Sequence, residues 1–183
     1  MKKLIAAALA FAMIFSFAAC SESEQSGDNT KPGFSASDLA VSHGGKTYTC
    51  DVYIEDVTAS LGEDYAYSEA MSCAYDGLDK VYGYESEGAD FSTRPDGDRD
   101  LVCEIYIYDG DWQTAKGIKI GSSIDDVKAA YGEPSRSTNF ASYYEIPASN
   151  SDSTGASLYF EFLKGDGTIT SFGVIAEQLI GEE

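Results

Sequence analysis

Few side chains of this 183-residue sequence could carry out catalysis. His43 is the only histidine, and it lies beside Gly44 and Gly45 in a stretch that predicts a hairpin turn. A catalytic triad needs a base that a third group holds in place, and nothing near His43 in the sequence suggests one. There is also no glycine-rich phosphate loop and no histidine-rich metal pattern. We therefore expect His43 to be an exposed turn residue, and we expect neither an enzyme nor a bound cofactor.

Acidic residues are the remaining candidates for chemistry. The run from Asp96 to Asp100 could supply oxygen ligands to calcium, but it lacks the later bidentate acid of an EF-hand and contains Arg99. We interpret this run as a hairpin turn and expect no metal. Glu104 and Glu161 could form the carboxylate pair of a glycoside hydrolase. They occupy matching positions in an internal repeat, however, so a shared solvent face explains them more simply.

The first residues predict an export signal. Residues 1–19 begin with two lysines, continue with an uncharged apolar run, and end in Ala18 and Ala19 before Cys20. This ending resembles the lipobox of bacterial lipoproteins, in which the cysteine receives a diacylglycerol and becomes the new N-terminus. The alternative is an ordinary secretory signal. We expect a lipid anchor at Cys20, a flexible acidic tether over residues 20–37, and a location on the extracytoplasmic face of the cell membrane.

The charge of the chain limits its partners. The sequence has 12 basic and 31 acidic residues and a net charge of -19. Loss of Lys2 and Lys3 with the signal would leave 10 basic residues and a net charge of -21. Such a chain repels phosphates, so nucleic acid is not an expected partner. It also repels anionic headgroups, so the body should stand away from the membrane that anchors it.

Three further cysteines follow Cys20. An exported compartment permits disulfides, but three cysteines leave at least one thiol unpaired within the chain. Cys103 has the position of a core strand residue, so Cys50 and Cys73 are the expected pair if a bridge forms. All three could instead remain reduced and pack as small apolar side chains.

Two segments of the body share the apolar spacing of a short amphipathic helix. Steps of three and four residues separate the apolar positions in both segments, which are Ile54, Val57, Leu61 and Ile124, Val127, Tyr131. Gly62 and Gly132 follow at the positions where a helix ends. Ser122 or Ser123 can cap the second helix.

Strand-like segments follow each predicted helix and are separated by Asp-Gly turn signals. They are Ala70–Tyr75, Lys80–Glu85, a short piece near Phe91, Leu101–Tyr108, Ser142–Ile146, Ser157–Leu163 and Ile169–Ala176. We predict an α+β fold made of two tandem helix-plus-antiparallel-sheet units, residues 38–112 and 113–183, that share one sheet.

The alternation of side chains predicts which face of each strand is buried. Leu101, Cys103, Ile105 and Ile107 should point toward the helices, and so should Leu158, Phe160 and Phe162 in the strand that we align with them.

Two motifs carry a resemblance. The run from Ser72 to Tyr82 (SCAYDGLDKVY) and the run from Lys116 to Gly121 (KGIKIG) resemble the first and second repeat motifs of a tandem-repeat lipoprotein family of gut Clostridia. The tandem of helix-plus-sheet units is similar to the β-lactamase inhibitor protein, and the helix-and-glycine segment resembles the small lipoprotein of the outer-membrane barrel assembly machinery. These resemblances imply a fold, whereas function differs among the proteins concerned.

Aromatic residues form the one suggestive surface. Tyrosine and tryptophan are favoured at recognition sites because they bury a large area with little loss of entropy. Strand parity places several of the thirteen tyrosines away from the predicted core, although tyrosine is also simply a good strand former. The candidate binding residues are Tyr82, Tyr84, Glu104, Tyr106, Tyr108, Trp112, Tyr159 and Glu161.

The expected function is that of a non-enzymatic binding module, tethered to the membrane, for a protein or another envelope ligand. The inhibitor-protein resemblance implies an alternative, an inhibitor of a secreted or envelope hydrolase. A carboxylate-dependent hydrolase is the third interpretation.

Overall fold

The computed structural model describes residues 33–180. Cys20, the export signal and most of the tether lie outside these residues. The described chain contains two α-helices, one short 3-10 helix (Ala36–Asp38) and thirteen strands. In chain order the elements are β1 (Ala40–His43), β2 (Lys46–Thr49), α1 (Ile54–Leu61), β3 (Ala66–Met71), β4 (Leu78–Tyr84), β5 (Ala89–Asp96), β6 (Arg99–Ile107), β7 (Gln113–Thr114), α2 (Ile124–Tyr131), β8 (Arg136–Ser137), β9 (Ala141–Ile146), β10 (Ser153–Thr154), β11 (Ala156–Phe162), β12 (Ile169–Ile175) and β13 (Gln178–Leu179).

One antiparallel sheet of eight strands dominates the molecule, in the order β3-β4-β5-β6-β12-β11-β9-β8. Strands β6 and β12 meet in its middle, and Ile105 pairs there with Val174. A three-stranded sheet, β2-β1-β7, and a short β10-β13 pair complete the structure. The α+β class and the antiparallel sheet agree with the sequence prediction.

Both helices form where the apolar spacing predicts them. Val57 and Val127 are almost completely buried, and both belong to the hydrophobic core that lies on one face of the large sheet. Gly62 (φ 94°) and Gly132 (φ 82°) end the helices in a backbone conformation that glycine tolerates best. Ser123 caps α2 and accepts a hydrogen bond from the Asp126 amide. Neither helix in the described part of the chain is long and apolar enough to cross a membrane.

The predicted parity of β6 is wrong at Leu101 and at Cys103. A β-bulge shifts the pairing of β5 and β6, so that Ser92 lies opposite Glu104 but Thr93 lies opposite Val102. Cys103 is the extra residue of the bulge. Val102 therefore points into the core at the place predicted for Cys103. Ile105 and Ile107 follow the bulge and are fully buried as predicted.

Two further details differ from the sequence prediction. Strand β3 ends at Met71, because the Ser72 hydroxyl accepts hydrogen bonds from the amides of Ala74 and Tyr75 and so begins a turn. The prediction that β6 and β11 occupy equivalent positions in the two halves of the sheet is also wrong. Strand β6 lies at the centre of the sheet beside β12, whereas β11 lies one strand beyond β12.

Candidate functional site

The candidate site is the face of the eight-stranded sheet on which no helix of residues 33–180 packs, which we call the open face. Ile105 and Ile107 point into the core, so Tyr106 between them points to the opposite side. Tyr106 pairs with Gly173 of β12, and Gly173 pairs on its other side with Tyr159 of β11. These residues therefore form one row across the sheet. The open face consists of Asp90, Glu104, Tyr106, Tyr143, Tyr159, Glu161, Ser171 and Gly173.

Two tyrosine–glutamate hydrogen bonds cross at the centre of this face. The Tyr159 hydroxyl donates to Oε1 of Glu104 at 2.9 Å. The Tyr106 hydroxyl donates in the opposite direction, to Oε2 of Glu161 at 3.2 Å. Ser171 donates a further hydrogen bond to Glu161. The two tyrosine–glutamate bonds each join β6 to β11 over β12, so both phenol rings are held in place by charge-assisted hydrogen bonds.

Gly173 makes this arrangement possible. A Cβ at this position would lie 2.5 Å from the Ile105 carbonyl oxygen and 2.7 Å from the Tyr159 hydroxyl. Any side chain on Gly173 would thus occupy the space that the phenol of Tyr159 fills. Gly173 was not among the residues predicted from the sequence, although a glycine in the interior of a strand often marks a close approach of this kind.

Burial changes the acid–base properties of the open face. Tyr159 is only 7% exposed, and this burial, reinforced by the negative charge of Glu104, raises its pKa. Burial also raises the pKa of Asp90, although a hydrogen bond from Tyr108 opposes this effect. Tyr108 itself has a raised pKa because it is partly desolvated beside Asp90. The phenols of Tyr159 and Tyr108 therefore stay neutral at physiological pH and can act as hydrogen-bond donors.

The aromatic surface continues toward the β9 side of the sheet. Tyr143 stacks on Tyr159 with ring centroids 5.9 Å apart. The Arg136 guanidinium lies 3.6 Å from the Tyr143 ring centre, and its Nε is 3.3 Å from Glu145. A groove of about 620 Å³ begins here and extends past Ser157 to the C-terminal strand β13. The open face thus offers a concave surface beside a row of fixed rings.

Three of the predicted binding residues lie on the other side of the sheet. Tyr84 and Trp112 are each 1% exposed, and Tyr82 is 8% exposed. Tyr84 donates to the Gly62 carbonyl at 3.0 Å, and the Trp112 indole donates to the Glu87 carbonyl at 2.7 Å. The expectation that they form an accessible surface is wrong, and it is wrong for Tyr159 too, which is 7% exposed although its ring lies on the open-face side. The three rings on the other side complete the core under the helices. The hydrogen bonds of the Tyr84 hydroxyl and the Trp112 indole satisfy the polar atoms that these rings bury.

The prediction that His43 is an exposed turn residue is also wrong. The imidazole stacks on Trp112 with ring centroids 4.4 Å apart. Its Nε2 lies 2.8 Å from Glu87, and its Nδ1 lies 2.5 Å from Asp111. Neither acid was predictable as a partner, because both are far from His43 in the chain. The contacts fasten the β1–β2 hairpin to the large sheet.

Of the two alternatives for the cysteines, the structure has the reduced one. Cys50, Cys73 and Cys103 are all free thiols. Cys50 packs against the core and Cys73 is exposed in the turn after β3, so the pair named for a possible bridge does not form one. Burial raises the pKa of Cys50, and it raises the pKa of Cys103 to about 11. Both buried thiols are therefore protonated at neutral pH.

The acidic run from Asp96 to Asp100 forms the hairpin turn between β5 and β6, as predicted. Gly97 takes a positive φ of 62° between β5 and β6, Asp96 accepts a hydrogen bond from Tyr53, and Asp100 binds Lys80 at 2.8 Å. Within residues 33–180, no group of three or more metal-ligating side chains has the geometry to hold an ion.

Comparison of this chain with protein-family models, with curated proteins and with solved structures finds no match.

Proposed function

We propose that this protein is a lipid-anchored, extracytoplasmic binding module, not an enzyme, and that the open face is its contact surface. The observation that carries the proposal is the crossed pair of hydrogen bonds between Tyr106 and Glu161 and between Tyr159 and Glu104. These bonds fix large side chains before a partner arrives. A surface that is already ordered loses less entropy on binding.

The charges of the open face favour a partner with cationic or hydrogen-bond-donating groups. Asp90, Glu104 and Glu161 lie on the face, and the nearby cations Arg136 and Arg94 are already paired with Glu145 and Asp51. The whole chain carries a net charge of -19, so anionic polymers are repelled. We propose a protein partner that presents lysine, arginine or backbone amides to the tyrosines and carboxylates.

The proposed architecture is a tandem repeat. Helix α1 is followed by β3, β4, β5 and β6, and α2 is followed by β8, β9, β11 and β12. The two sets meet at β6 and β12, in the middle of the sheet. This order supports two units near residues 38–112 and 113–183, and with it the proposed kinship to the tandem-repeat lipoproteins of gut Clostridia.

The second candidate function is inhibition of a secreted or envelope hydrolase. The observation that favours it is a helix-free sheet face with fixed aromatic rings, the kind of surface that the β-lactamase inhibitor protein presents to its enzyme. Affinity capture from envelope extracts, followed by an activity assay of the captured proteins, separates the candidates. One abundant hydrolase that loses activity in the complex supports the inhibitor; a partner without hydrolase activity supports the general module.

The lipid anchor has its own test. Mass spectrometry of the mature N-terminus should find a diacylglycerol on Cys20, and Cys20→Ser should release the protein into the medium or leave an uncleaved precursor. An unmodified N-terminus downstream of Cys20 would contradict the anchor without affecting the open face.

A further inference from the structure

Strand β3 is an open edge of the eight-stranded sheet. Its six residues, Ala66–Met71, are all exposed and pair only with β4 among the described elements. The opposite edge is β8, which has only two residues. Long edges are normally blunted by proline, lysine or a bulge, because unpaired amides and carbonyls attract other strands. Strand β3 contains no proline, lysine or bulge, and Glu69 is its one charged side chain.

The phase of the β3–β4 ladder shows which amides point outward. The Ser72 amide donates to the Gly77 carbonyl at 3.1 Å, directly after the last pair of the ladder. Hydrogen-bonded pairs alternate along antiparallel strands, so Ala66, Ser68 and Ala70 bond to β4. The amides and carbonyls of Tyr67, Glu69 and Met71 therefore face away from the sheet and are free to pair with an added strand.

Side chains along this edge alternate in a way that suits an added strand. Ser68 lies opposite Val81, which in turn lies opposite Ser92 on the open-face side. On that side, Ser68 and Ala70 are small and border a groove of about 370 Å³. On the other side, Tyr67 and Met71 are 49% and 73% exposed. An incoming strand would place alternate side chains in the groove and against these apolar groups.

The negative charge around β3 favours a basic strand as its partner. The segment over residues 62–80 contains one basic residue, Lys80, which is already bound to Asp100 at 2.8 Å. Its five acids are Glu63, Asp64, Glu69, Asp76 and Asp79. A second copy of β3 would bring the same acids into contact with one another.

We propose that β3 is a docking site for an extended, basic segment of a partner protein, which adds to the sheet as a ninth strand. The segment alternates small or β-branched side chains, which enter the groove, with lysine or arginine, which faces Glu69. The groove beside β3 shares Glu104 with the open face, but the two proposals concern different groups, the backbone edge of β3 and the rings around Tyr106, so either can fail without the other.

Amide hydrogen exchange with a synthetic probe tests the proposal. The probe is the capped octapeptide acetyl-(Thr-Lys)4-amide, added to the purified full chain. The amides of Tyr67, Glu69 and Met71 should exchange rapidly in the free protein and at least ~10-fold more slowly with the probe, because they become hydrogen-bonded. Protection elsewhere with none at these three amides would overturn the proposal.

Two substitutions at one position separate backbone pairing from charge. Glu69→Pro removes an outward amide without removing a bond to β4, whereas Glu69→Thr removes the same charge and keeps the amide. Probe binding should be at least ~10-fold weaker for Glu69→Pro than for Glu69→Thr, with equal thermal stability. Equal affinities would contradict strand addition. Protection of the three amides in the free chain would assign the edge to the chain's own N-terminal segment instead. Protection that grows with protein concentration would assign it to a second copy.

Discussion

The Tyr159 hydroxyl reaches across strand β12 to donate a 2.9 Å hydrogen bond to Glu104. Tyr106 makes the reverse contact, from β6 to Glu161 on β11. Both bonds cross at the join between the halves of the large sheet, so the centre of the open face is fixed by side chains from both halves. A partner that binds there contacts a surface whose shape depends on the pairing of β6 with β12.

Gly173→Ala should destabilise the protein and displace Tyr159. The added Cβ would lie 2.5 Å from the Ile105 carbonyl oxygen and 2.7 Å from the Tyr159 hydroxyl. Overpacking of this kind costs about 1–3 kcal/mol. Denaturant unfolding at pH 7 measures the loss of stability.

Gly83→Ala is the matched control for this prediction. Gly83 is also a strand glycine without a positive φ, but its added Cβ would come closest to a side-chain atom, Oδ1 of Asp90 at 3.1 Å, and its next contacts, with Ala66 at 3.8 Å, are ordinary. The free energy of unfolding should change by less than about 0.5 kcal/mol, as for ordinary surface changes. Equal losses of unfolding free energy in the two variants would show that the Tyr159 phenol does not fill the space above Gly173.

Tyr159→Phe should change stability in a pH-dependent way. At pH 7 the variant loses a hydrogen bond to a charged acceptor, which contributes about 1.5–3 kcal/mol. The folded state raises the pKa of Tyr159, so its contribution is complete below the unfolded pKa of 10.0 and is lost as the pH rises beyond it. The gap between wild type and variant should therefore narrow above pH 10.

Alkaline titration of the wild type provides a second measurement. Burial raises the pKa of Tyr84 and of Tyr144 to about 12, so both resist ionisation in the folded state. Absorbance at 295 nm should show a delayed, cooperative rise as the fold is lost. A stability difference between Tyr159→Phe and wild type that stays constant from pH 7 to pH 11 would contradict the burial of this phenol.

The helices and the alternation of the central strands were predictable, whereas the details of the candidate site were not. The spacing of Val57 and Val127 and the glycine after each helix are local signals. The bulge at Cys103 has no such signal, because it depends on how β5 and β6 pair. Trp112 and His43 were misplaced for the same reason, since they bury each other with acids that are distant in the sequence.

Thiol reactivity should divide the cysteines of the body into two classes. Cys73 is exposed and should react with a disulfide reagent at neutral pH. Cys50 and Cys103 should react only after unfolding, because burial raises their pKa values and blocks access. Counting thiols in native and denatured protein, with Cys73→Ser as the control, checks this. A native Cys73→Ser variant that still reacts rapidly would contradict the burial of the other two.

The open face as a binding surface is tested most directly by the affinity of a captured partner for Tyr106→Ala. Tyr106 lies on the open face, outside the core, so the variant should remain folded. Tyr53→Ala is the control, because Tyr53 is an equally half-buried tyrosine beside helix α1. Binding should weaken by ~10-fold or more for Tyr106→Ala, since interface aromatics often contribute 2 kcal/mol or more, and should be unchanged for Tyr53→Ala. Full affinity in a well-folded Tyr106→Ala variant would contradict the proposed function of the open face.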